Sequence, residues 1–177
     1  MPQNNNGQWT SARLESKFTY TPRDGSQTIF EAKIRFGNNA QGNKQGIWPA
    51  FWLLGDSIRH GTPWPACGEI DILETVNGLT QGYGTIHCDV APGGICNEYN
   101  GIGGNTGFGD NGWHQWRVLI DRRPDWTSET IVWQKDGQEY FRVNGGRIGN
   151  QGVWNSLVAN PLYVILNVAV GGNWVSS

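Results

Sequence analysis

Polar and apolar residues alternate one by one along much of this chain. "SARLESKFTYT" (11–21) and "TIFEAKIRF" (28–36) both do so, with the turn-forming "PRDGSQ" between them. A period of two marks a strand with one buried and one solvated face, so the two segments are predicted to form a β-hairpin. "IWPAFWLLG" (47–55) is instead almost continuously apolar, as a central strand is. Further strands are predicted in "CGEIDILETVNG" (67–78), "YGTIHCDV" (83–90), "WHQWRVLID" (113–121), "TIVWQKDG" (130–137), "QEYFRV" (138–143) and "LYVILNVAVGG" (162–172). Residues 91–112, rich in Gly and Asn, are expected to be a long loop, and 153–158 a short helix. No repeat or domain linker is evident. Many antiparallel strands with few helices favour an all-β sandwich of jelly-roll type, and the length suits one domain over 1–177.

One strand breaks its own rhythm. "GEIDILET" (68–75) carries Glu69, Asp71 and Glu74 among Ile and Leu. Glu69 and Asp71 share a face, with Ile70 and Ile72 turned to the core. A regular strand would send Glu74 to the core side as well. One extra residue repairs this: a β-bulge around Ile72–Leu73 returns Glu74 to the acidic face and buries Leu73.

Three acids on one face repel one another, which destabilises the fold unless they have a task. Calcium takes about six to eight oxygens from a flexible loop, which an apolar strand does not supply, so no metal is assigned here. Glycoside hydrolysis needs two carboxyl groups flanking a sugar, one as nucleophile or base and one as acid. Asp71 between them can hydrogen-bond a neighbouring Glu and keep the two pKa values apart. Four effective strand positions place the two Cα atoms about 13 Å apart, a gap that inward-leaning side chains narrow. Spacing alone does not separate retention from inversion.

Composition narrows the field. Lys and Arg number 13 against 15 Asp and Glu, which gives no basic field for nucleic acid. No apolar run is long enough for a membrane span. The opening "MPQNNNGQW" lacks the apolar core of a signal peptide, so the chain is read as cytosolic or as the mature or trimmed form of a secreted protein. Ten Trp residues serve either core packing or stacking on sugars. Trp48 and Trp52 share one strand face and are open to both readings. Cys88 and Cys96 bracket "CDVAPGGIC", a loop that a disulfide can staple, which points to an oxidising compartment. Cys67 is left over, and the Cys spacings do not match a zinc site.

"GIWPAFWLLG", "WPACGEIDILETVNG", "GTIHC" and "LNVAVGGNW" occur in this order and span nearly the whole chain. Together they resemble glycoside hydrolase family 16, and within it the laminarinase-like endo-β-1,3(4)-glucanases. The Glu-Ile-Asp-Ile-Leu-Glu core is similar to the bulged form of that family's signature; the form without the extra residue is more typical of lichenase and carrageenase relatives. "CNEYNGIGG" is similar to fungal members.

The resemblance implies a concanavalin-like β-jelly roll of two curved antiparallel sheets, with a β-glucan substrate on the concave face. It implies a retaining double displacement without a required cofactor: Glu69 as nucleophile, Glu74 as acid/base, Asp71 assisting the nucleophile. Trp52 and Trp64 match cleft Trp positions near the cleavage point. Arg13 matches an arginine on the non-reducing side, His87 a cleft histidine near the leaving group, and Trp174 a late-loop Trp that stacks on glucose. Trp113, Trp116, Trp126, Trp133 and Trp154 have no motif support and are read as structural or surface.

Family members also carry a segment before the equivalent of "NGQWTSARL" and a final strand after "GGNW", so both flanking strands are expected to be lacking here. The family's frequent calcium site near the termini is then expected to be absent. A monomer is expected, with exposed strand edges as a route to association. Location outside the cell or in the cell wall follows from the same resemblance. Two other functions share the fold: a non-catalytic β-glucan-binding module, whose relatives lack the paired Glu, and a transglycosylase, whose acids are the same.

Overall fold

The apolar run at 47–55 becomes the middle of a six-stranded sheet. In a computed structural model of the protein, residues 9–175 are described. Ten strands follow in chain order: β1 (Arg13–Glu15), β2 (Gln27–Ile34), β3 (Ile47–Gly55), β4 (Glu69–Glu74), β5 (Gln81–His87), β6 (Ile102–Gly107), β7 (His114–Asp121), β8 (Thr130–Lys135), β9 (Gln138–Asn144) and β10 (Leu162–Val170). Two short helices, α1 (Gly145–Ile148) and α2 (Gln151–Val158), lie between β9 and β10. One sheet has the order β1-β10-β3-β4-β5-β6 and the other β2-β7-β8-β9. Every strand pairing within them is antiparallel. The two sheets form a β-jelly-roll sandwich.

The core lies between the sheets. Leu53, Ile70, Ile72 and Ile86 project into it from one side, and Trp116, Val118, Ile131 and Trp133 from the other. Alternation explains which residues these are: on β7 the pattern buries Trp116, Val118 and Ile120 and leaves the residues between them half-buried. Helix α2 closes one end with Trp154 and Leu157. It starts where the Asn150 side chain accepts from Val153 N–H. The Trp154 indole donates to buried Glu129 at 2.7 Å, and Arg122 pairs with the same carboxylate.

Three expectations are corrected. Segments 11–21 and 28–36 do not form a hairpin. β1 pairs with β10 in the larger sheet and β2 with β7 in the smaller one. Alternation specifies a face, not a partner, and in 11–21 only Arg13–Glu15 joins a ladder while Leu14 and Phe18 stay exposed. The expected loop 91–112 contains β6, hidden by its composition "IGGNTG". Two of its glycines are packing requirements: a Cβ on Gly104 would lie 2.7 Å from the Phe141 ring, and one on Gly103 2.7 Å from the Gly84 carbonyl oxygen. The helix expected near 153–158 begins two residues earlier, and α1 precedes it.

Candidate active site

β4 is irregular on both edges. Against β3, Leu73 faces Phe51 while Asp71 faces Trp52, so Ile72 has no partner. Against β5, Asp71 faces Thr85 and Glu74 faces Tyr83, two residues of β4 opposing Gly84 alone. One extra residue thus sits at Ile72–Leu73, where the acid spacing predicts it. Ile70, Ile72 and Leu73 are all buried, and Glu69, Asp71 and Glu74 line one cleft on the opposite face.

A bulge frees backbone groups from the ladder, and buried ones need partners. They come from the other sheet. The Trp133 indole N–H donates to the Asp71 carbonyl at 2.7 Å, and the Tyr140 hydroxyl to the Ile72 carbonyl at 3.3 Å. Gly84 leaves room for both: a Cβ there would lie 2.6 Å from the Trp133 indole nitrogen and 2.7 Å from the Tyr140 oxygen.

The register then arranges the site in rows. At the level of Glu74 stand Arg13, Asn167, Ala50, Tyr83 and Asn105, one per strand. At the level of Asp71 stand Trp52 and Thr85, and at the level of Glu69, Leu54 and His87. A cleft of about 680 Å³ holds the three acids together with Trp48, Trp64, His87 and Trp174, and with Tyr83, Tyr99 and Asn105. A smaller cavity of about 230 Å³ continues over β3 and β10, touching the acids again with Trp52 and Asn167. Arg13 lines neither cavity. Its guanidinium lies 4.8 Å from the centre of the Trp52 ring, and the Trp52 indole donates to Asn167.

Trp48 donates to the Glu74 carboxylate at 2.8 Å and meets Trp174 edge to face. Trp174 is 42 % exposed and also touches Tyr83. Trp64 packs near His87 and stacks on Tyr99. Trp52 and Trp64 also rest on a small apolar cluster of Leu54, Cys67, Tyr163 and Ile165, so each is both a packing and a cleft residue. Trp116, Trp133 and Trp154 are fully buried, while Trp113 is exposed.

Cys88 and Cys96 form a disulfide, and Cys67 is a buried free thiol. Burial, followed by the charge of Glu69, pushes the Cys67 thiol up to about 11, which keeps it protonated and inert.

The charges form one system. Burial first, then the negative Asp71, raise Glu74 to about 8, against the Trp48 hydrogen bond and His87. Burial and Asp71 also raise Glu69 well above the usual carboxylate range, with the His87 cation opposing. Burial alone would lower His87, but Asp71, Glu69 and Glu98 together outweigh it and raise the ring to about 10. His87 is therefore an imidazolium directly across from Glu69. Two neighbouring carboxyls do not both ionise readily; the His87 cation favours the charged form of both and faces Glu69 directly.

Asp71 departs from expectation in one respect. Its Oδ2 hydrogen-bonds neither glutamate; it lies 3.4 Å from His87 Nε2, an ion-pair contact without hydrogen-bond alignment.

Glu69, Asp71 and His87 place potential ligand atoms within 4.8 Å of one another. Three ligands would suit a catalytic zinc, and with Nδ1 paired to Glu98, Nε2 is the His87 atom that would turn to it. The expected calcium position lies near the chain ends, where residues 1–8 and 176–177 are outside the described range.

Sequence reasoning missed Tyr83, Tyr99, Asn105, Asn167 and Glu98. Tyr83 was within reach, since a period of two backward from His87 arrives at it. Asn167 and Asn105 enter through register across strands, which no single segment displays.

The description "XgeA-like, catalytic GH16 domain" matches residues 2–100. The chain is 34 % identical to an endo-1,3-beta-glucanase of known structure from Streptomyces sioyaensis, with a TM-score of 0.89 over 98 % of this chain and 63 % of that one. It is 32 % identical to the clotting factor G alpha subunit of Tachypleus tridentatus over 94 % of this chain and 22 % of the relative. It is 30 % identical to glucan endo-1,3-beta-glucosidase A1 of Niallia circulans over 98 % of this chain and 24 % of the relative. The chain thus spans about a quarter of the length of these two relatives.

Proposed function

The chain belongs to glycoside hydrolase family 16, and from that premise we propose that it cleaves internal linkages of β-1,3- or mixed β-1,3/1,4-glucans with retention of configuration. The observation that carries this reading is the bulge at Ile72–Leu73, which sets Glu69 and Glu74 in one aromatic-lined cleft with Asp71 between them. Glu74, protonated up to about pH 8, gives its proton to the glycosidic oxygen. Glu69, opposite the His87 cation, attacks the anomeric carbon and forms a glycosyl-enzyme ester. Glu74, now ionised, takes a proton from water, which attacks the same carbon and releases Glu69. Asp71 keeps His87 charged and adjacent to the reacting pair. Trp48, Trp64 and Trp174 offer ring faces to glucose, with Trp52 and Asn167 on the β3–β10 side. No step calls for a metal or cofactor. The Cys88–Cys96 disulfide supports work outside the reducing cytosol.

Mass spectrometry of products from laminarin, lichenan and agarose, run side by side, tests the reading. Mixed oligosaccharides from the first two and none from agarose are expected; products longer than the starting oligomer would mark transfer to sugar instead of water. Glu69→Gln should reduce turnover on the order of 10⁴-fold or more, as loss of a nucleophile does in other enzymes. Survival of activity in that variant overturns the assignment.

A further inference from the structure

His87 is held from behind by a group that the reaction itself does not use. Glu98 lies in the loop between β5 and β6, with its side chain fully buried. One carboxylate oxygen accepts from His87 Nδ1 at 2.7 Å and the other from the Cys88 backbone N–H at 2.9 Å. The loop carrying it is closed twice, by the Cys88–Cys96 disulfide and by reciprocal backbone hydrogen bonds between Gly93 and Glu98. The next residue, Tyr99, stacks on Trp64 beside the same ring. A buried carboxylate is stable only when paired, and His87 is the cationic partner here.

We propose that Glu98 is a positioning residue of the cleft: from the disulfide-closed loop it fixes the His87 ring so that Nε2 faces Asp71 and the imidazolium stands opposite Glu69. With Nδ1 committed to Glu98, Nε2 is the only ring nitrogen left to meet the acids of β4 or a sugar hydroxyl. The groups facing His87 are Asp71 and Glu69 from β4, with Glu74 further along it, Glu98 from the loop, and the Trp64 ring, on which Tyr99 stacks. Glu98 is the one carboxylate among them outside the acid triad. The raised pKa of His87 agrees with that enclosure.

The kinetic consequence rests on the glucanase reading; the spectroscopic one does not. Nitrogen-15 NMR of the wild-type protein should show His87 as an imidazolium at neutral pH with a downfield, slowly exchanging Nδ1–H. Glu98→Gln keeps the shape and removes the charge. It should lower the His87 titration by about one unit or more, a tenfold change in proton affinity. On laminarin it should reduce kcat/KM roughly 10- to 100-fold, the scale of one hydrogen bond to a charged group. In a His87→Ala background the same substitution should change kcat/KM less than about twofold, because a residue that acts through His87 has nothing left to act on. Equal losses in both backgrounds, an unshifted His87 titration in Glu98→Gln, or a rapidly exchanging Nδ1–H in the wild type each overturn the proposal. If the wild type cleaves no glucan, the functional reading fails, while the NMR measurements still decide the role of Glu98.

Discussion

Each sheet of this sandwich carries a bulge, and the two are bonded to each other. In β4 the extra residue lies at Ile72; in β9 it is Tyr140, since Gln134 faces Glu139 while Trp133 faces Phe141. Both bulges turn two successive residues inward: Ile72 and Leu73 are buried, and Tyr140 and Phe141 pack against the same core. Their outer faces differ. The β4 bulge aligns three acids under a cleft, whereas the β9 bulge presents Glu139 and Arg142 paired with each other in solvent. The β9 bulge serves the first one by aiming the Tyr140 hydroxyl at the Ile72 carbonyl. The same backbone device thus makes a site in one sheet and a support for it in the other.

Deleting Ile72 tests the comparison most directly. The remaining Glu-Ile-Asp-Leu-Glu alternates regularly, so Glu74 stays on the acid face without a bulge, while one buried side chain and the carbonyl that Tyr140 meets are lost. A thermal melt should register a loss of about 2–5 kcal/mol, the scale of a deleted buried Ile side chain, with hydrolysis retained. Hydrolysis at background level in a folded deletion variant would mean that the bulge does more than restore the alternation of the acids. Glu74→Ala leaves the bulge in place and removes only the acid/base; turnover should fall about 10²–10⁴-fold, with melting close to wild type. Trp133→Phe and Tyr140→Phe loosen the support between the bulges. The first leaves the buried Asp71 carbonyl without its donor and should lower stability by about 1–3 kcal/mol. The second removes a longer bond and should lower it by about 0.5–1.5 kcal/mol. Both should reduce kcat more than they raise KM, because they displace Glu74 relative to Glu69 and leave the sugar platforms in place.

The two bulges also mark how far the sequence could be read. The one in β4 is legible because its acids make the face visible: a spacing of two followed by three has no regular solution on a strand. The one in β9 is not legible, since "QEYFRV" alternates acceptably with or without an extra residue. Strand positions after residue 46 were mostly legible from period and apolarity, except β6, where Gly104 makes room for Phe141 and the run of glycines looks like a loop. Partners were not legible where the connection is long, which is why 11–21 and 28–36 read as a hairpin and belong to different sheets. Within the site, the acids, the disulfide and the cleft Trp residues come from local motifs. Asn167, Asn105 and Glu98 come from contacts between segments, and no window of sequence contains them.

pH offers the finest test, because both edges of the acidic face leave a signature in it. Glu69, Glu74 and His87 all have pKa values raised by the fold, so each stabilises the folded state while protonated and loses that contribution as pH rises through its folded pKa. The melting temperature should therefore fall from about pH 4.5, where an unfolded glutamate titrates, through pH 8, where Glu74 does, with His87 contributing up to about pH 10. In kcat/KM the alkaline limb should lie near pH 8, where free-enzyme Glu74 gives up the proton it must donate. Trp48 sets that limb through the indole N–H it donates to Glu74, a contact that favours the charged carboxylate and holds the pKa down. Trp48→Phe removes the donor and keeps a ring for the sugar, so the limb should move to higher pH by about one unit or less. The rate at neutral pH should change little. A limb that stays fixed in Trp48→Phe, or that persists in Glu74→Gln, would assign it to a group other than Glu74 and remove the acid/base role from the residue the bulge delivers.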